Sequence, residues 1–553
     1  MAKGQSRKAA GGSAKVRDAL SRAAAAERVG DGDAALSALL QGVLDKPDAP
    51  ELYPPLSRLL GDMRFEEASP AVARAVVHAL HAPWINPQSL APAAISLLLA
   101  THNVLSADAP AIGAAMARDP LLLALLERTM LPSPKLEAML IAARRQLLQL
   151  AAEGFVPEAE AVRFAQAMAA QAQLNGWMWA EAPSETQALG ILAPRLPELP
   201  FGYVHIVYAL YRPLADVPGL ADIQVKGPWR DAARLLIQDP GEERRLAAKL
   251  ERVGGAVSTE GASAAVKAQY EAHPYPRWSM AVRRKPLPIH EIAAGLFPHA
   301  DLPDWPARRL DVLIAGSGTG KHAADVSTRF QGARIQAIDL SRASLGYAAR
   351  MLKNRPGMTF AEADIMELGN WEQRFDHIES VGVLHHLADP LAGWRILTGL
   401  LKPGGSMRVG FYSKRGRSRI EAARSALRDA GFHGQSDADL RAARTFAMAE
   451  PDGSDARKAA DELDFYAASG ARDFLFHAEE HELSPAELAD MTEALGLRVL
   501  GLELTHSDAA SLYRQRFPDD PAMADLRRWD AIEAEHPDIF RHMCQFWCVS
   551  SGV

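Results

Sequence analysis

The run Arg309-Leu310-Asp311-Val312-Leu313-Ile314-Ala315, followed at once by Gly316-Ser317-Gly318-Thr319-Gly320, constrains this chain more than any other stretch. A short apolar run bounded by turn residues reads as a buried strand. It runs into a glycine-rich turn and then into a helix through Lys321 to Phe330. Glycines allow the tight turn and let a ligand approach where a Cβ would block it. The helix N-terminus behind the turn brings unsatisfied N–H groups and a partial positive charge.

The pattern around this run alternates strand and helix. Apolar runs at Ile335–Ile338, Met358–Ala361, His377–Leu384 and Met407–Tyr412 follow, with helical stretches between them. Such alternation predicts a parallel sheet with crossover helices. Leu401-Lys402-Pro403-Gly404-Gly405 reads as a turn leading into the last of these strands. Leu497–Leu504 and Cys544–Val549 suit two further strands, with Ser484–Leu495 as the helix before them.

The N-terminal half is different. It is rich in Ala and Leu, strong helix formers. Segments at Ala34–Leu44, Pro55–Leu60 and Ala71–Leu80 carry apolar residues at helical spacing, punctuated by Gly30, Pro47, Pro54, Pro70 and Pro83. Short helices that each need a neighbour suggest helical hairpins of the tetratricopeptide kind, although the full repeat signature is absent. Asp119–Glu127 and Leu136–Leu150 are further helices, the second with Arg144 and Arg145 on its polar side. Trp177-Met178-Trp179 reads as packing.

The predicted organisation is therefore multidomain. A flexible tail over 1–14 precedes a helical-repeat-like region over 15–108 and a second helical domain over 109–253. A linker over 254–265, small and turn-rich, leads to an α/β core over 266–413. A helical insertion or lid over 414–482 precedes the end of the core, with its last two strands, over 483–553.

Composition limits the function classes. The 553 residues carry a net charge of −7, which argues against general polyanion binding, so no nucleic-acid partner is expected. Two cysteines, Cys544 and Cys548, make neither a disulfide framework nor a zinc site, so no metal is expected. No uninterrupted apolar stretch is long enough to span a membrane, and residues 1–17 lack a secretory apolar core. A cytoplasmic protein with no membrane partner is the default expectation.

Three ligands compete for the glycine turn. A P-loop needs Gly-x4-Gly-Lys-Ser/Thr. Gly320-Lys321 fits its end, but Ala315 and His322 break it. A dinucleotide fingerprint needs Gly-x-Gly-x-x-Gly, and Lys321 stands where its third glycine would be. S-adenosylmethionine fits best, because its loop uses this shorter spacing. Asp339 ends the next strand about 20 residues on, where an acid can accept both ribose hydroxyls or cap the helix from Ser341. Asp364 and Ile365 follow the third strand, placed to meet an adenine amine and flank its ring. His385 and His386 lie past the carboxyl end of the fourth strand, the edge where ligands of open α/β sheets bind.

In order and spacing, "VLIAGSGTG", "IQAIDLS", "EADI", "SVGVLHHLADP" and "LLKPGG" resemble the class I S-adenosylmethionine-dependent methyltransferases. The resemblance covers Tyr270 to Tyr412 and implies a Rossmann-like, seven-stranded α/β domain with a helical insertion after the fifth strand. It places the donor against Ala315, Gly316, Ser317, Gly318, Gly320, Asp339, Leu340, Asp364, Ile365 and Val383. The family often has an acid two places before the first loop glycine. Ile314 stands there in this chain, which leaves the donor's ammonium contact unassigned. The aromatic segment Tyr270–Trp278 looks like that of a subgroup fused to a helical-repeat-like half, and loosely like that of bacterial protein-lysine methyltransferases.

His385, His386 and Tyr270 are the catalytic candidates. A histidine would serve as base if the acceptor must lose a proton. Tyr270 would bond the donor's carboxylate or line the acceptor channel. Arg415, Arg417, Arg419, Arg424 and Arg428 open the insertion, as a solvated face or as a contact for an acidic acceptor. The expected acceptor is an N or O atom on a protein or peptide, with a small molecule as the other class; a homodimer is compatible. The competing reading is a non-catalytic helical-repeat interaction protein with a degenerate donor site.

Overall fold

The computed structural model describes residues 2–550 except 62, 105–110, 156, 222, 258–259 and 307–308, with side chains from residue 14 onward. Part of the expected linker, at 258–259, lies outside the described residues. The chain forms two compact units. One comprises Met1–Pro240, Arg277–Arg283 and Ala460–Ala468; the other comprises Gly241–Pro276, Arg284–Ala459 and Ser469–Val553.

Every regular element described in the first unit is helical. The expected helices appear at Gly32–Asp45, Tyr53–Gly61, Pro70–His81, Pro120–Arg128 and Pro134–Ala152. Their starts have local causes. Asp119 and Ser133 accept from the backbone N–H groups of Leu121 and Leu136, each with proline at the first helical position. Where composition predicts a flexible tail, residues 2–28 form one helix, in keeping with their alanine content. Arg144 is a second correction. Only Arg145 is on the polar side; Arg144 is buried, with its guanidinium 4.0 Å from the Tyr211 ring centre and 3.5 Å from Glu185. Trp179 is buried as packing.

The second unit is built on a sheet of eight strands: β1 Glu251–Arg252, β2 Leu310–Ala315, β3 Ala333–Asp339, β4 Met358–Glu362, β5 Phe375–Val381, β6 Leu401–Phe411, β7 Leu497–Leu502 and β8 Cys544–Ser550. Their order is β1-β4-β3-β2-β5-β6-β8-β7. β8 is antiparallel to both neighbours, and the other pairs are parallel. The expected seven strands become eight because β1 adds a charged two-residue edge beside β4. It carries no apolar signal; Arg252 instead pairs with Glu362 at 3.0 Å.

Two boundaries also move. β5 ends at Val381 rather than Leu384, because Gly382 has φ +76 and Leu384–His386 forms a helical turn. β6 begins at Leu401, so the expected turn lies inside it. Its pairing with β5 jumps from Phe375↔Leu401 to His377↔Ser406, which leaves Lys402–Gly405 looped out of the ladder. Cys544 and Cys548 are free and buried on β8, where desolvation raises both thiols. No described helix is long and apolar enough to cross a membrane.

Candidate active site

Strand order reverses at β2, whose neighbours β3 and β5 lead away in opposite directions. A crevice outside the carboxyl ends of the strands forms at such a switch point. The glycine turn follows β2, Asp339 ends β3, Asp364 follows β4, and the two histidines follow β5.

The glycine turn is held entirely by its own chain. Gly316 N and Ser317 N donate to the Ile338 carbonyl, Thr319 N to the Tyr275 carbonyl and Gly320 N to the Ser317 carbonyl. Gly318 N donates to Asp339 Oδ2 at 2.7 Å. All five N–H groups of the turn are thus bound within the protein; the donors expected from the sequence are those of the helix behind it, whose N-cap Gly320 makes no side-chain capping bond. Gly318 is required twice: its φ is +51, and an added Cβ would lie 2.5 Å from the Tyr275 carbonyl oxygen. At Gly316 a Cβ would collide with Val383. Thr319 Oγ1 donates to the Pro276 carbonyl, so the Tyr275-Pro276 segment lies directly on the turn.

What the turn leaves for a ligand is carbonyl edge, the buried Ser317 Oγ, which has no hydrogen-bond partner among the described residues, and carboxylate. Asp339 accepts from Gly318 N and, through Oδ1, from Ser341 N at 2.9 Å. The Leu340 backbone N–H also acts on this carboxylate, and since a carboxylate has about four lone-pair sites, some acceptor capacity remains. Burial pushes the Asp339 carboxyl up, opposed by these backbone N–H groups. Ser341 caps the next helix with its own hydroxyl, so Asp339 is spared that duty. Asp364 is buried and accepts from Met366 N at 3.0 Å, with Ile365 buried beside it. Leu340 is half-buried next to Asp339. Rich in acceptors, this edge suits the hydroxyls, amine and cationic centres of S-adenosylmethionine. His322, where a P-loop would have Ser or Thr, pairs instead with the buried Glu379.

The other edge holds the histidines. His385 is fully buried, its ring 4.2 Å from Tyr412 and 4.3 Å from His386. Neither of its ring nitrogens makes a hydrogen bond of good geometry among the described residues, although the Gly410 backbone acts on the ring. His386 Nδ1 lies 2.9 Å from the Glu479 carbonyl, and its ring stacks on His477 at 3.7 Å. Burial holds both histidines well below their usual pKa; Arg417, His477 and His481 add to this at His385, and His385 and His477 add to it at His386. Both are neutral near pH 7.

Tyr270 does not lie free for a donor carboxylate. Its hydroxyl donates to Asp473 Oδ1 at 2.6 Å and lies 3.1 Å from His477 Nε2. Burial and then Asp473 raise this phenol well above its ordinary pKa, so it stays protonated.

Nothing in the sequence alone places Asp473 and His477 at this site. Both come from the end of the insertion, where Ala468–Phe476 is a helix and residues 477–483 run as a strap. The strap docks through His481 N to the His385 carbonyl at 2.8 Å and Leu483 N to the Tyr412 carbonyl at 3.0 Å. The dense run His477-Ala-Glu-Glu-His-Glu482 was the signal that could have marked it. The arginines opening the insertion meet this chain's own acids. Arg417 and Arg424 are buried against Glu480, each at 2.9 Å, and Arg415 pairs with Asp530 at 2.7 Å. Arg428 is 3.9 Å from Glu421. An acidic acceptor therefore finds these four already occupied.

Residues 312–405 match a family model described as a methyltransferase domain. An uncharacterised protein of Synechococcus is 31% identical over 179 residues, which are 31% of this chain and 42% of the relative. The chain thus spans less than half the length of that relative. Among solved structures, PKMT2 from Rickettsia typhi in complex with AdoHcy is similar over 51% of this chain and 55% of that one, at 15% identity and a TM-score of 0.38. Phosphoethanolamine N-methyltransferase 2 of Haemonchus contortus in complex with S-adenosyl-L-methionine is similar over 48% and 53%, at 15% identity and a TM-score of 0.26.

Proposed function

We propose that this chain, which carries an S-adenosylmethionine-dependent methyltransferase domain over residues 312–405, transfers a methyl group to an N or O atom of a protein or peptide. The observation that carries the reading is the donor edge: a glycine turn closed by its own hydrogen bonds, with Asp339 bound to Gly318 N and still holding spare acceptor capacity.

S-adenosylmethionine, when bound, supplies a methyl on a sulfonium that leaves as a neutral thioether. The protein's share is positioning, which can supply roughly 7–11 kcal/mol of the barrier. Asp339 would hold the ribose hydroxyls, Asp364 the exocyclic amine, and Ile365 the ring face. The Tyr275-Pro276 segment fixes the turn against which the donor lies. His386 takes the acceptor's proton where one must be lost, since its Nδ1 is engaged by the Glu479 carbonyl at 2.9 Å and Nε2 is the nitrogen left for the acceptor.

A macromolecular acceptor is supported by the helical unit, which we read as a helical-repeat-like platform. A small-molecule acceptor is the other reading; the buried polar shell around His385 and Glu482 favours a compact group. The test is incubation of the full chain with methyl-labelled donor and host lysate, with Gly318→Arg as control. Label in protein supports the reading, label in small molecules transfers it to the second class, and donor binding without transfer makes the chain a binding protein.

A further inference from the structure

His386, Asp473 and His477 bring one ligand-type atom each within 4.8 Å of one another. Such a trio could hold a metal ion or move a proton. The hydrogen bonds around it decide between these uses. Glu479 touches both histidines through its own peptide groups. Its carbonyl can only accept, so His386 Nδ1, 2.9 Å away, carries hydrogen and Nε2 keeps the lone pair. Its N–H can only donate, and it donates to His477 Nδ1 at 3.1 Å, so neutral His477 carries hydrogen on Nε2. That Nε2–H faces Tyr270 Oη at 3.1 Å, and Tyr270 donates onward to Asp473 Oδ1 at 2.6 Å. A metal-bound histidine normally donates its second N–H to an acceptor. His477 has the opposite arrangement, which speaks for the proton.

We propose that His477 and Asp473 are positioning residues for a base at His386, with Glu479 setting opposite tautomers on the two rings; this rests on the methyltransferase reading above. His386 Nε2 accepts the proton that the acceptor atom releases as it bonds to the methyl carbon. The bond from that carbon to sulfur breaks, and its electron pair stays on sulfur. The resulting imidazolium lies within 4.8 Å of the Asp473 carboxylate, which stabilises it. The stacked His477 ring, tied to Tyr270 and Asp473, holds His386 in place. The groups facing His386 are His385 from its own turn, Tyr412 after β6, Asp473 and His477 from the insertion, and Glu480 on the strap. Arg417 acts on its neighbour His385. The acceptor this implies is one that enters with a proton to lose, such as an amine or a hydroxyl.

The test uses the full chain with nitrogen-15 histidine. The expected spectrum has His386 protonated at Nδ1 and His477 at Nε2, assigned with His386→Gln and His477→Gln. The reverse tautomer on either ring overturns the proposal, and so does one equivalent of divalent metal retained by the wild-type chain and lost in Asp473→Asn. For the rate, label transfer into lysate protein is followed from pH 5 to 9. Asp473→Asn lowers the plateau about 10–100-fold and moves the rising limb to lower pH, because the imidazolium loses its counter-charge; Asp473→Glu restores much of both. An unmoved limb overturns the proposal. Donor affinity measured alongside separates the two levels: loss of donor binding in the wild-type chain sinks the methyltransferase reading, whereas the tautomers report on this proposal alone.

Discussion

The two edges of the sheet's crevice are built in opposite ways. At the donor edge, all five N–H groups of the glycine turn are satisfied by the chain itself, and the elements come from one contiguous stretch between Tyr275 and Asp364. At the histidine edge, Nε of Arg417, Nη2 of Arg424 and Oε1 of Glu482 are buried without a hydrogen-bond partner among the described residues, and the His385 ring nitrogens have none of good geometry. Buried polar groups are nearly always paired, so each such atom calls for a partner. The contrast teaches that the donor edge rests on backbone N–H groups the fold itself satisfies, with Ser317 Oγ the exception, whereas the histidine edge rests on packed side chains that are only partly paired.

Four changes would break or sharpen this contrast. The largest effect is expected from Gly318→Arg, which adds a side chain at positive φ against the Tyr275 carbonyl. Donor binding should weaken by at least about 100-fold in calorimetry. His386→Ala comes next and should act on the other edge alone. Label transfer should fall by about 100–10,000-fold, with donor affinity unchanged. If His386→Ala weakened donor binding as much as Gly318→Arg, the two edges would not be separable.

Asp339→Ala removes a charged acceptor from Gly318 N and Ser341 N as well as from the ribose. A donor dissociation constant raised by about 10–100-fold is expected, since hydrogen bonds to charged groups are worth about 1.5–3 kcal/mol. An unchanged constant would remove Asp339 from the site. The smallest effect concerns stability. Burial, then Glu421, raise Glu482 from 4.5 to about 7. The fold favours its neutral form, so its contribution is full below the unfolded value and is lost as pH rises through about 7. Glu482→Gln should therefore raise the urea midpoint at pH 8 and leave it unchanged at pH 4. A midpoint that rises equally at both would remove the ionised carboxylate as the cause.

The same contrast explains what could be read from the sequence. The donor edge depends on backbone conformation and on residues at fixed offsets from one turn, and β2 is legible to within one residue at its start and to the residue at its end, Ala315. The histidine edge depends on Asp473, His477 and Glu480, which lie far beyond His386 in the chain and are brought back by an insertion whose one signal, the acidic and histidine-rich run 477–482, does not say what it meets. Only a fold can place them. Elsewhere the misses are local and physical. β1 is two charged residues held by an ion pair, so it lacks apolar alternation. Charge alone assigns Arg144 to a polar face, but Glu185 and the Tyr211 ring make its burial tolerable. The overlong fourth strand was apolar through Leu384, and the left-handed Gly382 cuts it short.

The most direct measurement is calorimetric titration of S-adenosylmethionine into the full chain and into Gly318→Arg. Saturable one-to-one binding to the first and none to the second is the predicted result. No binding to the wild-type chain, or equal binding to both, would contradict the assignment of the Gly316–Gly320 turn as the donor site.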